Sequence, residues 1–230
     1  AAVRLTRLAR LLQARGHRIT VLTTMPHFPE GRIRDGYRGR WVRVDEIDDM
    51  RVVQVWLWAT PSRKIIWRLL SQISFMLMGF VRGLFVARPD VIFIENQPIF
   101  TGLMGWALSK IKRRPYLLNV SDFWPEHLVA LGVMRANHPL YRMFKALVNL
   151  TQRQAHTIVT LSDELYTNIQ KRIGDAKHQR TILNAADLHL FHPETVDDSF
   201  RARYGLDERP IVSFIGTFQS NLDYDAFFDV

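Results

Sequence analysis

The feature that most constrains the fold of this chain is an alternation between short apolar runs and segments of helical periodicity. Each run is short enough for a strand, and a segment with apolar residues three or four positions apart follows it. Strands that alternate with helices form parallel sheets covered on both faces. The sequence therefore predicts an α/β fold with a doubly wound parallel sheet. Strands are predicted over residues 18–23, 52–58, 90–95, 115–120, 157–161 and 180–183, and helices over residues 100–111, 139–154 and 163–173.

Both ends of the chain fall inside predicted units. Leu5, Leu8 and Leu12 recur at helical spacing before Gly16, and a strand normally precedes such a helix. We therefore expect a domain over residues 1–193 that lacks its first strand, and a linker over residues 194–209 with a short helix at 199–204. A strand over residues 210–215 and the helix after it would begin a second unit over residues 210–230, so we expect truncation at both ends.

Composition narrows the possible chemistry and partners. The chain has no cysteine, which excludes disulfides, thiolate metal sites and a cysteine nucleophile, and fits a reducing cytoplasm. Its net charge of +9 indicates an anionic partner: nucleic acid, lipid headgroups or a phosphorylated substrate. The basic residues are scattered and no nucleic-acid-binding motif is visible, so we expect no nucleic acid partner.

The apolar segment over residues 65–86 has three possible interpretations. Only residues 69–81 separate Arg68 from Arg82 without a charge, which is too short for a membrane span. A helix buried against the sheet is one alternative. A helix on the membrane surface is the other, with basic residues near lipid phosphates. In that case the apolar contacts would come from Trp67, Phe75, Met76, Met78 and Phe80, and the basic ones from Arg63, Lys64, Arg68 and Arg82.

Polar residues follow most of the predicted strands, at the sheet edge where open α/β folds bind ligands. His27 lies after the first strand, Asn96 after the strand over residues 90–95, and residues 162–164 and 184–187 after later strands. The segment over residues 121–127 is the richest. It contains Ser121, Asp122, Trp124, Glu126 and His127.

Structural and catalytic roles are both open for this segment. Pro125 stands where a helix could begin, so Ser121 or Asp122 could cap it, and Glu126 could complement its dipole. His127 could be an ordinary surface or core histidine. Two carboxylates, a tryptophan and a histidine nevertheless exceed what capping requires, and the acidic pair could position or deprotonate a sugar hydroxyl. Ser162 is predicted to be a plain helix N-cap.

Signatures of several other enzyme classes are missing. The sequence has no phosphate-binding P-loop, no zinc-protease HExxH, no nucleophile-elbow GxSxG and no EF-hand. A hydrolase or a dehydrogenase therefore has no positive support, and no metal ligand set is predicted.

Seven motifs occur in a fixed order along the chain. They are RGH (15–17), RPDVI (88–92), QPIFTGL (97–103), VSDFWPE (120–126), ALGV (130–133), IVTLS (158–162) and ILNAADLHLFHP (182–193). Together they resemble the N-terminal domain of family 4 glycosyltransferases with the GT-B fold, and the last motif looks like the family's interdomain segment. The closest branch resembles the transferases of bacterial O-antigen, capsule and exopolysaccharide assembly.

The resemblance implies two Rossmann-like domains, of which the N-terminal one binds the acceptor and the C-terminal one the nucleotide-sugar. It implies transfer with retention of anomeric configuration, without a metal or other cofactor. Asp122, Glu126 and His127 are the candidate catalytic residues, and the donor loop would contain Gly216 and Thr217. The candidate acceptor-binding residues are His27, Asn96, Ser121 and Trp124.

Two departures from the family pattern bear on these assignments. Many relatives carry His-Asp where this chain has Ser121 and Asp122, so His127 would have to supply any role of that histidine. Ala185 and Ala186 replace the usual Gly-Val of the interdomain segment.

The expected function is sugar transfer to a polyprenyl-diphosphate-linked or saccharide acceptor, by a cytoplasmic protein peripheral on an anionic inner membrane. The complete parent protein would be the enzyme, and this chain alone would be inactive. A nucleotide-sugar epimerase shares the fold, but the apolar segment counts against it. A non-catalytic module that binds lipid or a partner is the third alternative.

Overall fold

The computed structural model describes residues 2–62, 64–174, 178–185, 188 and 198–207. Helices and strands alternate over most of this part of the chain, as predicted. The helices are α1 (Ala2–Gln13), α2 (Ile65–Leu84), α3 (Ile99–Lys112), α4 (Glu126–Ala130), α5 (Pro139–Arg153), α6 (Asp163–Ile173) and α7 (Asp198–Tyr204), and the strands are β1 (Thr20–Thr24), β2 (Val42–Ile47), β3 (Met50–Val55), β4 (Ile92–Glu95), β5 (Tyr116–Val120), β6 (Thr157–Thr160) and β7 (Gln179–Thr181).

The strands form two hydrogen-bonded sheets. One has the order β4-β5-β6-β7 and is parallel throughout, as predicted. The other has the order β1-β3-β2, in which β1 and β3 are parallel. Within the described residues no ladder joins β1 to β4, so the single predicted sheet is divided at this point. The α/β class with a parallel sheet is confirmed.

Strand β2 was not predicted. It pairs antiparallel with β3 through a turn at Asp48 and Asp49, both with positive φ. Its residues alternate apolar and charged side chains and are mostly half-buried or exposed, as is common for an edge strand. The predicted strand over residues 210–215 lies outside the described residues.

Helices α2 and α3 pack side by side, α2 over β1 and β3 and α3 over β4 and β5. Gly79 and Gly83 lie on the buried face of α2, against Met104 and Leu108 of α3. Glycine lets the two helices approach closely because it has no side chain. This contact connects the two sheets through the helices that pack on them.

The packing of α2 shows which of its side chains are buried against the rest of the domain. Phe75 is buried in the core, and Met76, Met78 and Phe80 are partly buried against the same cluster, which favours the buried alternative for this face of the helix. The Nε atom of Arg82 is buried as well. By length and composition alone α2 could cross a membrane, and 11% of its most apolar window is buried in the protein.

Helix α1 shows that the parallel strands of both sheets point the same way. Arg4, at its start, donates to Glu95 at the carboxyl end of β4. Arg10, near its end, donates to Asp48, which precedes β3. The carboxyl ends of the parallel strands therefore lie along one edge of the molecule, where ligands bind in open α/β folds.

The α2–α3 contact yields a stability prediction. A Cβ atom at Gly83 would lie 2.6 Å from Cδ1 of Leu108, which is buried. Gly83→Leu should therefore lower the free energy of unfolding by about 1–3 kcal/mol, because extra carbons in a packed core force side chains from their rotamers. Urea unfolding of the chain measures this, with the exposed Leu77→Gln as control. An unchanged midpoint for Gly83→Leu would show that α3 can move aside.

Candidate functional site

A partly buried carboxylate organises the carboxyl edge of the parallel sheet. Glu95 ends β4 and its side chain is 15% exposed. It accepts hydrogen bonds from Arg4 at 2.8 Å, from Asn119 at 2.8 Å and from Ser121 at 2.7 Å. The register places Glu95 directly beside Asn119 of β5, so the two side chains meet at the strand ends. The ion pair and these hydrogen bonds compensate for the partial burial of the Glu95 charge.

Asp122 lies next to this cluster. Burial raises the pKa of Asp122 above its ordinary value, the positive charge of His127 lowers it, and the negative charge of Glu95 raises it again. The structure thus brings two of the three predicted catalytic residues, Asp122 and His127, into electrostatic contact. A carboxylate with a raised pKa beside an imidazole is a chemically competent acceptor for a hydroxyl proton.

Glu126, the third predicted catalytic residue, forms an ion pair with a residue of α6. Its two carboxylate oxygens lie 3.0 and 3.1 Å from one guanidinium nitrogen of Arg172 in α6. Arg172 also donates to the Trp124 carbonyl oxygen and, at 2.7 Å, to the Gln152 side chain. This ion pair ties α4 to α5 and α6. The expected pairing of Glu126 with Asp122 is absent from the contacts of the described residues.

Ser121 and Trp124 complete the segment before α4. Ser121 donates its hydroxyl to Glu95, while Trp124 packs against the core cluster around Phe100 and Leu128. Pro125 occupies the N-cap position of α4 without a side-chain capping bond, so the possible capping role of Ser121 and Asp122 is wrong. The predicted N-cap of α6 is confirmed, since the Ser162 hydroxyl accepts from the Leu165 amide.

The other predicted acceptor-binding residues lie on neighbouring loops. His27 follows β1, with Nδ1 3.0 Å from the Met25 carbonyl oxygen. Asn96 is 5% exposed and its side-chain oxygen points toward Gly102, without a hydrogen-bond partner among the described residues. Acceptor binding by these two residues, and by Ser121 and Trp124, stays a prediction.

Two further predictions have no test in the structure. Gly216 and Thr217, the predicted donor loop, lie outside the described residues, as do most of the predicted linker and the second unit. The described part of the chain contains no group of three His, Asp or Glu side chains suited to a metal. The metal-independent reaction therefore stays an expectation.

Sequence reasoning missed the residues that organise the site. Glu95 was visible as an acid at the end of an apolar strand, which is a usable signal. Arg4 has no such signal, yet it donates to Glu95, Ser121 and Asn184, the last from 180 positions along the chain. Only the docking of α1 against the strand ends reveals this role.

The chain was compared with known proteins. The model of the family described as "Glycosyl transferase 4-like domain" matches residues 1–185. Among solved structures, sucrose-phosphate synthase from Thermosynechococcus elongatus superposes with a TM-score of 0.61 at 15% identity. The match covers 89% of this chain and 47% of that one, so this chain spans about half the length of that protein. This similarity supports the fold.

Other comparisons add less. Anabaena HepE, in complex with UDP-glucose, is similar at 19% identity with a TM-score of 0.43, over 68% of this chain and 37% of HepE. That superposition is too loose to support an inference about this chain. A search of the curated proteins found no match.

The raised pKa of Asp122 predicts a pH-dependent stability. The folded protein holds this proton more tightly than the unfolded chain, whose carboxyl has its ordinary pKa of 3.8. The stabilisation is complete below pH 3.8 and is lost as the pH rises through the folded-state pKa. Asp122→Asn should therefore be more stable than wild type at pH 7, with an advantage that shrinks toward pH 4.

Urea unfolding at a series of pH values measures this difference. Asp90→Asn is the matched control, because Asp90 is 99% exposed and should show little pH-dependent difference from wild type. An advantage of Asp122→Asn that grows as the pH falls would contradict the assignment.

Proposed function

Because the chain belongs to the glycosyl transferase 4-like domain family, we propose that it is the acceptor-side domain of a retaining glycosyltransferase. Family membership supports sugar transfer as the general reaction. The complete protein would hold a nucleotide-sugar in a second domain and transfer its sugar to an acceptor bound at the carboxyl edge of the parallel sheet.

The cluster of Asp122, His127 and Glu95 carries this proposal. It lies where open α/β folds bind ligands, and it combines a partly buried carboxylate with a neighbouring imidazole. Asp122 would accept the proton of the acceptor hydroxyl as the oxygen attacks the anomeric carbon. The new glycosidic bond forms on the face of the sugar from which the bond to the diphosphate oxygen breaks, so that the anomeric configuration is retained, and the nucleoside diphosphate leaves. His127 stabilises the carboxylate form of Asp122 when the imidazole is charged.

Glu95 and Arg4 hold this edge in place in the proposed reaction. Ser121, the neighbour of Asp122, donates to Glu95, and Arg4 ties the same carboxylate to α1. Glu126 keeps α4 in position through Arg172, so we assign it to orienting the segment rather than to proton transfer. Trp124 and His27 remain candidates for contact with the acceptor sugar.

We further propose a lipid-linked acceptor in cell-surface polysaccharide synthesis. A polyprenyl diphosphate would bring negative charge to a chain with a net charge of +9. The protein would then be cytoplasmic and peripheral on the inner membrane. The donor diphosphate would be held by backbone amides and basic side chains of the second domain, without a metal, and Gly216 and Thr217 would belong to that loop.

The proton-accepting role of Asp122 is tested in the complete parent protein. Asp122→Asn should lower kcat for sugar transfer about 100-fold or more, because general base catalysis typically contributes that much. The KM of the acceptor should change far less. Transfer of radiolabelled sugar to a polyprenyl-diphosphate acceptor measures both, with Asp90→Asn as control. An unchanged kcat would remove Asp122 from the mechanism.

The proposed division of labour between domains has its own test. The 230-residue chain alone should show no sugar transfer, because the proposed donor site belongs to the second domain. It should still bind the acceptor, which tryptophan fluorescence can report through Trp124. Measurable turnover by this chain would refute the two-domain division.

A further inference from the structure

Helix α2 exposes an apolar stripe along its full length. The stripe consists of Ile66, Leu70, Leu77, Val81 and Leu84, whose exposed fractions range from 38% to 55%. Their spacing of three, four and seven positions puts them on one face of the helix. The face extends about 27 Å at 1.5 Å per residue. An exposed aliphatic surface this long indicates an interaction site.

Two tryptophans border the start of this stripe. Trp67 of α2 stacks on Trp58, with ring centroids 6.4 Å apart and planes inclined by 10°. Trp58 is fixed beside the helix, since its backbone amide donates to the Ser74 hydroxyl at 2.8 Å. Both rings are exposed. Tryptophan is enriched where apolar and polar phases meet, as at the boundary of a bilayer.

The charged residues of the segment that includes α2 are all basic. No aspartate or glutamate occurs between Asp49 and Asp90, and Lys64 precedes the first turn of the helix. Arg32 lies outside that segment and lines a cleft with Glu30 and Asp35. It also lines a cleft of about 320 Å³ with Trp58. Neither cation pairs with a carboxylate among the described residues. The surface therefore complements an apolar phase with an anionic boundary.

The buried face of α2 determines whether the helix could cross a bilayer or only lie on its surface. Phe75, Gly79 and Gly83 are packed in the core, and Gly79 and Gly83 face α3, so α2 could leave this position only by breaking the core. A helix held along one side by its own domain lies on a bilayer rather than across it.

We propose that the apolar stripe of α2, with Trp58, Trp67, Arg32 and Lys64, docks the protein onto the surface of an anionic phospholipid bilayer. This inference rests on the proposed function for its biological purpose, because it would bring the carboxyl edge of the sheet to a lipid-linked acceptor. The aliphatic residues enter the boundary between headgroups and acyl chains, and the two cations contact phosphates.

Vesicle flotation of the 230-residue chain tests the docking surface without donor or acceptor. The chain should float with vesicles of phosphatidylglycerol and phosphatidylcholine at low salt, and much less with phosphatidylcholine alone. Leu77→Gln combined with Val81→Gln should reduce partitioning about tenfold or more, since each side chain loses most of its transfer into the lipid boundary. Val133→Gln with Ile182→Gln is the matched control, because these residues are 53% and 58% exposed and belong to segments other than α2.

The cationic part has a control of equal net charge. Arg32→Gln with Lys64→Gln should weaken binding about fivefold for each cation removed. Arg153→Gln with Lys171→Gln removes the same charge from α5 and α6 and should have a far smaller effect. If both double variants lose vesicle binding equally, binding depends on net charge and not on a local surface, which would overturn the proposal.

Other results would also overturn it. Absence of flotation by the wild type at low salt excludes the bilayer as the partner of this face. Binding that survives the stripe substitutions excludes the stripe. If light scattering shows that those substitutions dissociate an oligomer while vesicle binding is absent, a second copy covers α2. Circular dichroism and urea midpoints confirm that each variant is folded. Because no sugar is transferred in the assay, its failure leaves the transferase proposal intact, and the converse also holds.

Discussion

The contact between α2 and α3 is the interaction on which the rest of the described structure depends. The two sheets share no ladder among the described residues, so they are connected by the helices that cover them and by α1. Gly79 and Gly83 let α2 approach Met104 and Leu108, which places β3 and β4 at a fixed distance. This contact, together with α1, holds the carboxyl ends of the parallel strands along one edge.

The candidate site depends in turn on Glu95. Its carboxylate is shared by α1, β5 and the segment that begins at Ser121, through Arg4, Asn119 and the Ser121 hydroxyl. Burial raises the pKa of Asp122, and the negative charge of Glu95 raises it further. This partly buried negative charge therefore both positions the segment before α4 and raises the pKa of the group to which we assign proton transfer. The opposite end of that segment is held by Arg172 and Glu126.

Local sequence signals predicted much of the fold. Helix α6 was predicted with both ends correct, because Ser162 caps it and its charged residues complement the helix dipole. The parallel strands β4 to β6 were predicted within two residues, since continuous apolar runs are typical of buried strands. Strand β7, whose residues are Gln-Arg-Thr, was also predicted within two residues. Strand β2 was missed because its alternation of apolar and charged residues is short, and its pairing with β3 depends on a turn at Asp48 and Asp49 that lacks glycine. The sequence left open whether α2 is buried or lies on a membrane surface, because α2 is apolar nearly all round.

The sequence by itself determined the α/β class, the loops that carry polar residues and the absence of carboxylates from residues 50–89. These are properties of neighbouring residues, and periodicity or composition exposes them. Only the tertiary structure decided which charges meet. Arg4 reaches Glu95 across 91 positions, and Glu126 reaches Arg172 across 46, so no local pattern relates them. Helix packing likewise decided which face of α2 is buried and which is left for a partner, because a helix that is apolar on most sides carries no internal mark of its own orientation.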